Sequence, residues 1–202
     1  MSKSKKLEDM LTNGKISRRE FLARVSALGL ATAISPSIMV KSAHAAMPKK
    51  GGRLRIACTG GSTTDSLDPG KLTSQYNQVL NFQLRSCLVE IDHKSNAVPE
   101  LAESWEPSSS ADTWTFKLRK SVEFHNGKTF DADDVVYTMN HHRGEESKSG
   151  AKGLLDPVQD IKADGKDTVI FTLKGGNADF PYVLADYHLT IFPAGTKGPE
   201  FE

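Results

Sequence analysis

Few side chains in this chain have the types and spacing that covalent chemistry needs. Gly127-Lys128-Thr129 ends like a phosphate-cradling loop, but such a loop needs glycine at position 122, where Val122 stands. Asp131, Asp133 and Asp134 could hold a metal or share a proton. Clustered just ahead of Val135, Val136 and Met139, they read instead as the acidic first turn of a helix, with Asp131 as its cap. His141 and His142 are adjacent, so they leave a helix in different directions and cannot chelate as a pair, while His93, His125 and His188 are scattered. No nucleophile-elbow, Cys-x-x-Cys or dinucleotide pattern occurs. The expectation is a non-enzymatic protein with no metal and no cofactor. Cys58 and Cys87 admit either a disulfide or two buried thiols. A domain of this size can build its core without a staple, which favours thiols.

One motif does carry a definite meaning. Ser17-Arg18-Arg19-Glu20-Phe21-Leu22 is a twin-arginine export pattern, S-R-R-x-F-L. An apolar run from Ala23 to Val40 follows, and Ala43-His44-Ala45 supplies the small residues that a signal peptidase requires. Arg24 and Pro36 interrupt the run, which argues for a cleaved signal over a membrane anchor. The sequence therefore predicts a twin-arginine signal peptide over 1–45, with Arg18 and Arg19 as its reading residues, and a mature body over 46–202. Its delivery address is the periplasm.

Charge supports that division. The net charge is +1, but residues 1–45 hold eight Lys/Arg and three acids, an excess of five that leaves the body at −4. With the basicity confined to the leader, a nucleic-acid partner is not expected.

In the body, Arg53–Cys58 alternates and reads as a first strand, followed by a Gly/Ser/Thr loop and a tight Ser66–Gly70 turn. Gln75–Ser86, with Tyr76, Val79, Leu80 and Leu84, reads as an amphipathic helix, and Leu88–Ile91 as a short strand. Leu101–Trp105 reads as a turn of helix ending at Pro107. Thr113–Arg119 alternates strictly and predicts a half-buried strand with Trp114, Phe116 and Leu118 inward. An Asn126-Gly127 turn and the helix from Asp131 follow. Arg143–Gly153 reads as a mobile surface loop, and Pro157–Ala163 with Thr168–Leu173 as a hairpin about Asp164-Gly165. Asp179 is expected to cap a short helix over Phe180–Ala185, and His188–Phe192 to form a last strand.

Three of these runs together resemble a known family. LAESW (101–105), WTFKLRKSVEFHNGK (114–128) and DADDVVY (131–137), with the earlier GG…SLDP (60–69), look like the family 5 solute-binding proteins of ABC importers. That family usually has Thr where Asp131 stands, and both cap a helix. The resemblance implies an α/β, mixed α+β fold, here the N-terminal part of lobe I of a two-lobed periplasmic binding protein, with the second lobe absent. It implies a monomer that catches a peptide-like solute and hands it to an ABC permease. Nickel complexes, opines and sugars remain open as solutes. Aligned on the SLDP turn, Thr73, Ser74 and Gln75 fall where the family places cleft residues, and Tyr187 and His188 are further ligand candidates. Short polar side chains suit hydrogen bonds to a peptide main chain. A helix cap by Thr73 or Ser74, and partial burial of the Tyr187 and His188 rings, account for the same residues. Two other functions stand beside transport: an exported cofactor-dependent enzyme, and a solute receptor for chemotaxis or signalling.

Overall fold

The computed structural model describes residues 3–28 and 51–201, in one unit ending at Ile56 and another beginning at Ala57. The cleavage expected after Ala45 and most of the apolar run before it lie outside the described residues. Among those residues no helix is long and apolar enough to cross a membrane.

The first unit is built on two helices, α1 (Lys3–Thr12) and α2 (Arg18–Ala27). Leu7, Ile16, Phe21 and Val25 form its small core.

The second unit is organised around a four-stranded antiparallel sheet in the order β3-β4-β6-β5. Its strands are β3 (Ala102–Pro107), β4 (Thr113–Leu118), β5 (Val158–Ala163) and β6 (Thr168–Leu173). Strands β1 (Val89–Ile91) and β2 (Ala97–Pro99) form a separate hairpin. Alternation in β4 puts Trp114, Phe116 and Leu118 on one face, and register pairs Trp114 with Phe171 and Phe116 with Val169. All five are buried, so one face of the sheet is the core floor. Onto it pack Val135 and Met139 of α4 (Ala132–His141) and Phe180 of α6 (Phe180–Val183). Trp114 donates its indole N–H between the carbonyls of Ala111 and Asn177, each at 3.2 Å. Gly176 allows that approach, since a Cβ there would stand 2.1 Å from the Ser110 carbonyl oxygen.

The Asn126-Gly127 turn and the β5–β6 hairpin form as expected, with Gly127 at φ 81° and Gly165 at φ 73°. Asp131 stands at the cap of α4, and the Asp134 carboxylate accepts the Asp131 N–H at 3.0 Å. Asp134 is fully buried. It also accepts from the Ala194 N–H at 2.6 Å and pairs with Lys128 at 2.6 Å. These bonds tie the Asn-Gly turn, the helix start and the 193–196 segment together. Lys128→Met leaves that carboxylate without its cation. Because Lys128 is itself 37% exposed, the expected loss is about 2 kcal/mol, below the 3–5 of fully buried pairs, measured by urea unfolding.

Several expectations are corrected. Leu101–Trp105 is not helical: Ala102–Pro107 is edge strand β3. A bulge between Ala102 and Ser104 makes Ala102 and Trp105, three residues apart, both pack toward the core, and that spacing imitates a helix. Among the described residues Arg53–Cys58 pairs with no strand, and Leu54 and Ile56 are exposed. Cys58 is therefore not in a strand. Both cysteines are free, and burial beside Glu100, Asp186 and Glu90 pushes the Cys87 thiol up. His188–Phe192 is buried and His188 lies in a turn, but among the described residues the segment joins no ladder. Its backbone bonds Ser86 and the Thr138 hydroxyl instead.

The helix predicted over 75–86 is α3 (Gln75–Leu84), with its inner face inverted: Asn77 and Asn81 are buried, while Tyr76 and Leu84 are exposed. The unpaired segment beside it offers carbonyls that need donors. Asn81 gives its amide N–H bonds to the Tyr187 carbonyl and the Thr190 hydroxyl, each at 2.8 Å. Arg143–Gly153 lies at the surface but is anchored at several points. Ser147 bonds the His141 carbonyl, Gly150 donates to Gly70, and Ala151 and Leu155 are buried, the latter in α5 (Lys152–Leu155). The last helix stops at Val183, and Asp179 makes no capping bond. The Asn177 side chain instead accepts the Asp179 N–H.

Candidate functional site

The residues at the start of α3 are set by a close backbone approach. Ser74 has extended backbone and its hydroxyl accepts the Asn77 N–H at 3.3 Å, so the capping role is real. Gly60, at φ 95°, lies over it; a Cβ there would come within 2.9 Å of the Ser74 Cβ. The Thr59 hydroxyl reaches the Gln75 side-chain oxygen at 3.3 Å. Thr73 and Gln75 are exposed and Ser74 is half-buried. The arrangement presents short polar groups and loop amides along one edge, suited to binding a polar main chain without reacting with it.

Tyr187 and His188 do not join that edge directly. They lie against α3 at Asn81, about 9 Å further along the helix axis from Gln75 at the usual rise per residue. Their rings are tilted against each other with centroids 4.0 Å apart. His188 is buried, and the Asp186 carboxylate meets its Nδ1 at 2.7 Å and its backbone N–H at 2.9 Å. Its polar atoms are thus partly committed within its own turn.

Two further features were not foreseen. The first is a polar cluster around Asp68. Asp68 accepts the Gly70 N–H at 2.9 Å and meets His141 Nε2 at 2.8 Å. Burial alone would raise the Asp68 carboxyl; the His141 and Gly70 hydrogen bonds and the charges of His141 and Lys71 overcome it and hold the group down to about 2. Beside it the fully buried His142 shares a hydrogen bond with the Ser149 hydroxyl at 2.6 Å. Asp68 and His141 are 73 positions apart, and only the fold joins them. The second is a cavity of about 720 Å³ at the far end of α3, lined among others by Phe82, Leu84, Arg85, His125, Phe130 and Phe201. None of Thr73, Ser74, Gln75, Tyr187 and His188 lines it. Its volume lies in the range of small-molecule sites. Phe82 and Leu84, both exposed on α3, line it; no sequence pattern marks it.

Residues 96–201 match the family model of bacterial extracellular solute-binding proteins, family 5. The chain belongs to this family. It is 33% identical over 98 residues to the nickel-binding periplasmic protein of Escherichia coli, covering 48% of this chain and 19% of that protein. To the dipeptide-binding protein of the same organism it is 30% identical over 145 residues, covering 63% and 24%. Among solved structures it resembles the binding protein AgaA of A. tumefaciens R10 in complex with agropinic acid. That match has a TM-score of 0.61 and 27% identity, over 64% of this chain and 26% of the other. The mixed α/β fold is that of two-lobed periplasmic binding proteins, of which this chain covers a part. It spans about a quarter of the length of the curated relatives it matches, 25% and 24% in two cases.

Proposed function

We infer that this chain is the solute-catching part of an ABC import system. It acts in the periplasm as a monomer, binds peptides and passes them to a membrane permease without catalysis. The observation that carries the reading is the family membership of residues 96–201, joined to the polar, non-reactive edge at the start of α3. Relatives named as dipeptide-, oligopeptide- and di/tripeptide-binding proteins favour peptides over nickel complexes and opines. Thr73, Ser74 and Gln75 supply hydrogen bonds to the peptide main chain, and Tyr187 with His188 borders the site from Asn81. In the intact receptor, binding closes the lobes on the solute, and the closed form is what the permease meets.

The test uses the protein encoded by the complete reading frame. Di- and tripeptides are expected to raise its melting temperature, and Thr73→Ala with Gln75→Ala to weaken binding about tenfold, the loss of one or two hydrogen bonds. A shift with nickel–histidine or an opine and none with peptides would transfer the site to those solutes.

Delivery rests on the leader, read as a twin-arginine signal over 1–45 and engaged by the matching export machinery. Arg18→Lys with Arg19→Lys is expected to hold the precursor in the cytoplasm on cell fractionation. Unchanged periplasmic delivery refutes that part of the reading.

A further inference from the structure

The export motif lies inside a folded element. Helix α1 ends at an Asn13-Gly14 turn in which the Asn13, Gly14 and Lys15 amides donate to the carbonyls of Asp9, Leu11 and Met10, with Gly14 at φ 66°. Ser17 then caps α2, its hydroxyl accepting the Glu20 N–H at 3.2 Å. Phe21, the aromatic residue of S-R-R-x-F-L, is 4% exposed and packs with Leu7, Ile16 and Val25. Leu22, next to it, is 38% exposed, and Arg19 faces solvent. Two of the motif's side chains are thus engaged internally, Ser17 as a cap and Phe21 as core.

We propose that residues 3–28 form a self-closed helical hairpin that withholds Phe21, so that the export signal becomes readable only when the hairpin opens. This rests on reading Arg18 and Arg19 as an export signal. The closed state is weak by construction. Each helix has ten residues, below the length at which a helix is stable alone, and the shared core is four buried side chains with Met10 and Leu11 packed against them. Arg18 and Arg19 sit in the first turn of α2, at the positive end of its dipole, where cations are disfavoured, and the single acid of that turn, Glu20, offsets them only in part. Unwinding that turn relieves the repulsion, and an acidic reader that binds the arginines favours the open form. The hairpin thereby acts as a latch that an anionic partner releases.

The test opens the latch without touching the motif. In the full precursor, Leu7→Asp puts a charge in the small core, and Gly14→Val strains a turn that needs positive φ. Chymotryptic cleavage after Phe21 is read by mass spectrometry of the released N-terminal peptide, and export by the rate of periplasmic appearance. Both variants are expected to be cut about tenfold faster, since cleavage follows the open population, and to be exported faster than the unaltered precursor. Unchanged cleavage in both, or faster cleavage with unchanged or slower export, overturns the latch. Arg18→Lys with Arg19→Lys in the Leu7→Asp background separates the two ideas. Export that ignores the arginines refutes the export reading, and the latch with it, whatever the cleavage. Arginine-dependent export at the same rate with and without Leu7→Asp refutes the latch alone.

Discussion

Phe116→Ala is expected to lower the unfolding free energy by about 4 kcal/mol, within the usual range for a buried Phe cut to Ala. Phe116 is fully buried at the centre of the aromatic group on the sheet. Its ring lies 5.4 Å from Phe171, 6.0 Å from Trp105, and 6.3 Å from both Trp114 and Phe180, centroid to centroid. These neighbours come from three strands and the helix α6, so no single element can move in to fill the space. Loss of edge-to-face contact with Phe171 and Phe180 adds to the transfer cost. The measurement is a urea titration followed by tryptophan fluorescence, which Trp105 and Trp114 report from beside the deleted ring. A midpoint shift with unchanged slope is the expected form. Phe116→Leu, which keeps most of the volume, should recover more than half of the loss. A loss under 1 kcal/mol for the alanine variant would mean that this group is not the centre of the core.

The same residues show what the chain discloses before folding. Strict alternation from Thr113 to Leu118 identified β4 and its inward face because a half-buried strand has one solution to that pattern. The Asn126-Gly127 turn and the acid-led helix from Ala132 were legible because their causes are local: positive φ, and dipole compensation. The failures are non-local. Ala102 and Trp105 turn inward together through a bulge set by the register with β4. The inner face of α3 is chosen by the unpaired carbonyls it must serve, so Asn81 outcompetes leucine there. Residues 188–192 carry a strand's composition but spend their backbone bonds on Ser86 and Thr138. At the candidate site, the capping role of Ser74 was visible in sequence. The cavity at the far end of α3 and the Asp68–His141 pair are properties of tertiary approach, and no spacing encodes them. At the N-terminus the S-R-R-x-F-L pattern is plain, whereas the burial of Phe21 depends on Leu7, fourteen residues away.

Acid should unfold this protein earlier than its carboxylates alone would dictate, and His142 is the reason. It is fully buried at the end of α4. Among the described residues its Nε2 has no hydrogen-bond partner, while Nδ1 meets the Ser149 hydroxyl. Burial, with the neighbouring His141 and His188 outweighing the attraction of Asp68, brings its pKa down to about 3. In the unfolded chain the same ring titrates near 6.5. Between those values the unfolded state holds a proton that the native state refuses. Stability is therefore undiminished above about 6.5 and falls as pH drops toward 3, by at most about 1.4 kcal/mol per pH unit, roughly 4 kcal/mol across the window. Asp68 acts lower down. Its carboxyl is held to about 2 in the fold, so its contribution persists above the ordinary value near 3.9 and is lost only as pH falls from there to about 2. The two windows separate the groups. Urea unfolding at half-unit steps from pH 7 to pH 4, on the wild type and on His142→Leu, isolates the histidine. The variant loses the Ser149 bond and starts lower at pH 7, yet its profile should be flatter by about one proton, so the curves converge and cross on acidification. Parallel profiles would mean that His142 accepts its proton in the folded state, with the 145–151 segment yielding to hydrate it.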